Sequence, residues 1–105
     1  MNFNDYLATF ANVDDLSGLN VISADGQLVH HIPAVTGKLG SLKLYNALAA
    51  QFNGVLNVQA AEQGLTWFAE HVEDAVQNPG KHPNVDLLIQ VQNNALQWRL
   101  EPISK

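Results

Sequence analysis

The chain has 105 residues, 47% of them apolar, no cysteine and a formal net charge of −5. That length suits one compact domain over 1–105 that needs no staple, and the missing thiols exclude disulfide frameworks, cysteine nucleophiles and thiolate metal sites. Five Lys and Arg against ten Asp and Glu leave no basic patch for nucleic acid, while the acidic Met1–Phe10 start and the lack of a run of roughly 20 apolar residues point to a cytoplasmic protein with no membrane segment.

Phe3, Leu7 and Phe10 recur at helical spacing after Asn2, which predicts a short amphipathic helix that stops before Asn12. Leu19–Ser23 and Gln27–Ile32 are β-rich runs on either side of Ala24-Asp25-Gly26, and Asp-Gly is a strong hairpin signal. Pro33 cannot donate to a ladder and ends the second strand. Thr36-Gly37 then turns the chain into a helix over Leu39–Phe52, which Gly54 closes.

Asn57 is placed to cap one long helix reaching Gln77, with Val58, Ala61, Leu65, Phe68, Val72 and Val76 as a continuous apolar stripe. Asn78-Pro79-Gly80 ends it. Val85–Val91 alternates like a strand, yet Val85, Leu88 and Ile89 also fit a helix, and Pro83 with Asp86 suits a helix start, so a helix is expected. Leu96, Trp98 and Leu100 alternate with Gln97, Arg99 and Glu101 as a closing strand over 96–101 before Pro102. The order αββαααβ predicts an α+β fold: hairpin 19–32 and the closing strand form a small antiparallel sheet packed against three to four helices.

His30 and His31 are adjacent on a strand and therefore point to opposite faces, so they cannot share one metal or one substrate. With a two-residue Asp25-Gly26 loop, His30 sits across from Val21, with Leu19, Leu28 and Ile32 on its face, and His31 lies across from Asn20; a one-residue shift exchanges them. One structural and one surface histidine is the simpler reading of the pair.

Glu70-His71-Val72-Glu73-Asp74 puts His71 and Asp74 three apart, close enough to pair on a helix. A metal site there would need further ligands such as His82, and no H-E-x-x-H pattern exists, so neither metal nor cofactor is expected. Trp67 lies off the apolar stripe beside Ala60, Gly64 and His71, and this second side of the helix either packs under the Val85 helix or forms an interface. Between Lys43 and Lys81 there is no Lys or Arg, while Glu62, Glu70, Glu73 and Asp74 fall in the gap. That asymmetry predicts an acidic face.

Two Gly-Lys pairs stand at predicted helix entrances. Gly37-Lys38-Leu39-Gly40-Ser41 follows a strand and opens a helix, the topology of an anion-cradling turn, and Gly80-Lys81-His82-Pro83 is a second cationic turn. The Walker pattern fails, because Ile stands at 32 where it needs Gly and Leu at 39 where it needs Ser or Thr. If the turns converge, Lys38, Lys81, His82 and a strand histidine would hold a small anion; if not, the glycines are ordinary turn residues.

Leu28-Val-His-His-Ile-Pro33, Gly37-Lys-Leu-Gly-Ser-Leu-Lys-Leu-Tyr45 and Asn78-Pro-Gly-Lys-His-Pro-Asn84 resemble a family of small, uncharacterised bacterial proteins of about this length, and the resemblance spans nearly the whole chain. It implies a stand-alone bacterial cytoplasmic protein and supplies no assigned activity or catalytic residues. The leading expectation is a non-enzymatic interaction module, immunity-like or antitoxin-like, that meets a protein partner or a second copy through its acidic face or Trp67 side. The alternative is a small-molecule anion binder or minor enzyme built on the two Gly-Lys turns.

Overall fold

The hairpin signal at Asp25-Gly26 becomes the start of the sheet in the computed structural model, which describes residues 1–105. A short helix α1 (Phe3–Leu7) precedes β1 (Leu16–Ile22) and β2 (Leu28–Pro33); α2 (Leu39–Gln51), β3 (Val55–Leu56), α3 (Val58–Phe68), α4 (Glu70–Gln77), α5 (Pro83–Asn94) and β4 (Trp98–Ser104) follow. The fold is α+β, with four antiparallel strands in the order β2-β1-β4-β3. The closing strand thus pairs with β1 and puts it in the middle of the sheet. Val21 faces His30 and Asn20 faces His31, the expected partners reached by a different route: the loop is three residues, Ala24-Asp25-Gly26, closed by Ser23 N–H donating to Gln27 O at 2.8 Å. Ile22 therefore pairs with Leu28, and a slip of the ladder at Val21/Ile22 restores the register beyond it.

Alternation divides the sheet's two faces. Leu19, Val21, Ile32, Trp98 and Leu100 turn inward and join Leu42, Tyr45, Leu48, Phe68, Val85 and Leu88 in one hydrophobic core. Asn20, His31, Arg99 and Glu101 occupy the other face, where Arg99 pairs with Glu101 at 3.1 Å. Pro102 does not end β4, which runs on to Ser104. β3 reaches only Arg99 and Trp98 on β4's outer side, so Pro102 stands on an open edge where no donor is needed.

α3 and α4 correct the single long helix expected over 57–77. Asn57 caps α3 as anticipated, its side chain accepting from Ala60 N at 3.0 Å. The helix then breaks at Ala69, which adopts φ 52° and ψ −116°. No glycine or proline marks the spot, because tertiary contacts set the break. Phe3 stacks on Phe68 at 5.4 Å, and its N–H donates to Glu70 Oε1 at 2.8 Å, which holds the Glu70 carboxyl below the usual carboxylate range. These contacts fix the end of α3 and the start of α4 on α1. The predicted stripe holds through Ala61, Leu65, Phe68 and Val72, which pack in or on the core, and fails at its ends: Val58 is exposed, and in α4 Ala75 is buried while Val76 is left 63% exposed.

The Val85 segment is a helix, α5, with Pro83 at its start. Its Leu88 presses on α3 so closely that a Cβ on Gly64 would lie 2.6 Å from Leu88 Cδ1 and 3.0 Å from Leu48 Cδ1. Gly64 is what lets α2, α3 and α5 meet, since any larger residue overpacks the seam.

Candidate functional site

Two helices begin at one place. The starts of α2 (Leu39, Gly40, Ser41) and α5 (Pro83, Asn84, Val85) line a single cleft of about 460 Å³, together with Gly37, Lys38, Lys81 and His82. Phe3, Leu7, Phe68 and His71 complete its wall. The two Gly-Lys turns therefore converge on the same cavity. Both glycines hold left-handed backbones, φ 90° at Gly37 and 92° at Gly80, and each turn delivers its lysine to the cleft from a helix entrance.

Neither helix has a side-chain cap. At α2 the N–H groups of Leu39, Gly40 and Ser41 make no hydrogen bond, since the first intrahelical bond runs from Leu42 N to Lys38 O at 3.0 Å. Such a row of unpaired donors at the positive end of a helix is an electrostatic well for an anion. Lys38 adds a full charge, and no carboxylate lies within ion-pair distance of it.

The Gly80 side is wired differently. Asp74 Oδ2 accepts from Lys81 Nζ at 3.0 Å and from His82 Nε2 at 2.6 Å. The His82 hydrogen bond and then the Lys81 bond pull the Asp74 carboxyl down to about 2. Asp86 Oδ2 receives the Gly80 N–H at 2.9 Å. Lys81 thus enters the cleft already compensated, and Asp74 is bound to His82 and not, as the i,i+3 spacing suggested, to His71. His71 instead stands beside His82, ring centroids 5.3 Å apart, with its edge against Phe3 at 4.7 Å.

Asn84 is the residue that sequence reasoning passed over. Only 6% exposed, it accepts at its backbone carbonyl from the Tyr45 hydroxyl at 2.6 Å and at Oδ1 from His30 Nε2 at 2.7 Å. Burial pushes the Tyr45 phenol far above its ordinary range and keeps it a neutral donor. The pair of bonds ties the start of α5 to α2 and β2. A polar residue in the first turn after Pro83 was a visible signal, but its partners are 39 and 54 residues away in the chain.

The strand histidines are not in the cleft. His30 backs its wall through Asn84, and His31 lies on the opposite sheet face, where its Nδ1 donates to Asn20 Oδ1 at 2.6 Å. The candidate interface residues are also largely engaged within the chain. Ala60 and Gly64 are buried in the α3 seam, so they present no surface. Trp67 is half-buried against Phe10 at 4.6 Å, beside a second groove of about 490 Å³ that includes Lys43, Asn46 and Ala47. Glu70 holds Phe3, Asp74 holds Lys81 and His82, and Glu62 and Glu73 remain exposed without a cation. No three His, Asp or Glu side chains are grouped to hold a metal ion, and no helix is long and apolar enough to cross a membrane.

Fold and site define a small α+β protein with a cleft between two helix entrances. The chain belongs to a family described as uncharacterized proteins conserved in bacteria (DUF2322), whose model matches residues 3–102. No curated protein and no solved structure matches it.

Proposed function

We propose that this protein binds a small anion, reversibly and without chemistry of its own, in the cleft between the α2 and α5 entrances in the bacterial cytoplasm. The observation that carries the reading is the meeting of both Gly-Lys turns on one cavity, where the free N–H groups of Leu39, Gly40 and Ser41 stand beside the uncompensated Lys38. These groups supply direction and charge, and the cavity falls in the size range of small-ligand sites. Calorimetric titration with inorganic phosphate tests it: binding by the wild type that Lys38→Ala weakens about tenfold, by loss of a charge-assisted contact, is the expected result. Absence of heat and of any thermal shift with phosphate overturns it.

A second reading, docking of a protein partner or a second copy, rests on one observation. The edge strand β2 and the segment after it leave Leu28, Val29 and Val35 at 59%, 38% and 50% exposure, beside backbone groups with no further strand to pair with. Light scattering across a concentration series tests this reading, with Val29→Lys as the control, and a strict monomer at all concentrations rules out the self-paired form.

A further inference from the structure

The cleft holds far more than an anion's charge requires. A phosphate group has five heavy atoms and displaces on the order of 100 Å³, a few waters' worth, whereas the cavity measures about 460 Å³. The rest of the lining mixes polar Asn4, His71 and His82 with apolar Phe3 and Leu7; Phe3 and Leu7 are half-buried, and Phe3 stacks on the buried Phe68. Against a bare inorganic ion the open surface of Phe3 and Leu7 stays wet. An apolar group attached to the ion removes that surface from water.

The polar end has its own selectivity. Leu39, Gly40 and Ser41 offer three successive N–H donors, and Ser41 adds a hydroxyl that makes no hydrogen bond. A carboxylate has two oxygens to fill; a phosphate monoester has three terminal ones. A separate observation on the facing wall points the same way. Asn84 is more than nine-tenths buried and lines the cleft; its Oδ1 and backbone carbonyl are taken by His30 and Tyr45, while its Nδ2 donates to no group of the protein. No side-chain polar atom in the protein is both sealed off and unpaired, so Nδ2 keeps access to solvent. A donor so placed gives up only water when an anion's oxygen accepts from it.

Charge limits the anion to one phosphate. Lys81 is already neutralised by Asp74, which leaves Lys38 as the single uncompensated lysine of the cleft. A pyrophosphate's second group would find no free lysine in the cleft.

We infer that the cleft takes an organic phosphomonoester, a single terminal phosphate on an apolar body, with the phosphate at the α2 entrance beside Lys38 and the body against Phe3 and Leu7. This deepens the anion-binding reading and rests on it. The test is titration of the full chain, at one fixed ionic strength, with inorganic phosphate, phenyl phosphate, butyl phosphate, pyrophosphate, benzoate and phenol.

Phenyl or butyl phosphate is expected to bind about tenfold or more tightly than inorganic phosphate through the added apolar burial, with pyrophosphate no tighter than phosphate and benzoate weaker than phenyl phosphate. Phe3→Ala should collapse the ratio between organic and inorganic phosphate toward one, and Leu7→Ala, read in the same ratio, serves if the first variant melts early. Equal affinity for inorganic and organic phosphate overturns the inference and leaves simple anion binding standing. Phenol as tight as phenyl phosphate overturns the phosphate assignment, and silence across the whole set overturns both readings.

Discussion

The turns at Gly37-Lys38 and Gly80-Lys81 share a dipeptide, a backbone conformation and a place at a helix entrance, yet they are in opposite electrostatic states. Lys81 is held by Asp74, Gly80 N–H by Asp86, and the helix that follows is pinned through Asn84 to Tyr45 and His30. At Lys38 the backbone alone is engaged, its N–H donating to Val35 O at 2.9 Å and its carbonyl accepting from Leu42 N at 3.0 Å. One wall of the cleft is fixed by internal bonds, and the other keeps its donors and its charge for something else. A shared Gly-Lys pair therefore does not mean a shared role; the difference comes from Asp74 on α4 and Asp86 on α5, which serve the Gly80 turn and leave the Gly37 turn without a carboxylate.

The sharpest way to break the comparison is to cut the fixed wall's anchor. Asn84→Ala leaves His30 Nε2 without its acceptor in a part-buried setting, and chemical denaturation should show a loss of about 2 kcal/mol. Unchanged stability would mean the wall is not anchored there. Next in size come Gly37→Ala and Gly80→Ala. A Cβ meets nothing within 4 Å at either position, so the cost is the left-handed backbone alone, about 1 kcal/mol at each. Unequal losses would show that the two backbones are not equivalent.

Ala69→Gly works in the other direction. It relieves the positive φ that aims α4 and Asp74 at the Gly80 turn, and a gain of up to about 1 kcal/mol is expected in a thermal melt; a loss would show that the unfolded chain's extra freedom outweighs the strain. The smallest effect separates the two lysines. Because the folded Asp74 sits near 2, below its ordinary 3.8, its stabilising contribution is complete above about pH 4 and disappears as the pH falls towards 2. Asp74→Asn should flatten that part of the acid-unfolding curve and raise phosphate affinity by freeing Lys81. Lys38→Ala, with no carboxylate partner, should leave the acid limb as in the wild type.

Much of the fold follows from short-range pattern. The Asp-Gly signal placed the hairpin, though a slip at Val21/Ile22 and not the turn alone puts Val21 opposite His30; Asn57 capped its helix, and Pro83 began α5 as a helix even though Val85–Val91 also alternates like a strand. Where the reading failed, at the Ala69 break and at the pairing of Asp74, the cause lay in contacts from distant segments: Phe3 on Phe68 and Glu70, and His82 on Asp74. No periodicity encodes such contacts.

By itself the sequence determined the composition class, the α+β order, the place of the hairpin and the two glycine-lysine turns, since each depends on residues within a few positions of one another and on backbone preferences that act locally. Only the tertiary structure decided that the turns share one cavity, that Asp74 silences Lys81 while Lys38 stays free, and that Asn84 joins three elements behind the cleft. Those facts depend on where α4 and α5 come to rest. Core packing at Gly64 and Phe68 fixes that placement, and it is a property of the whole chain and not of any one segment.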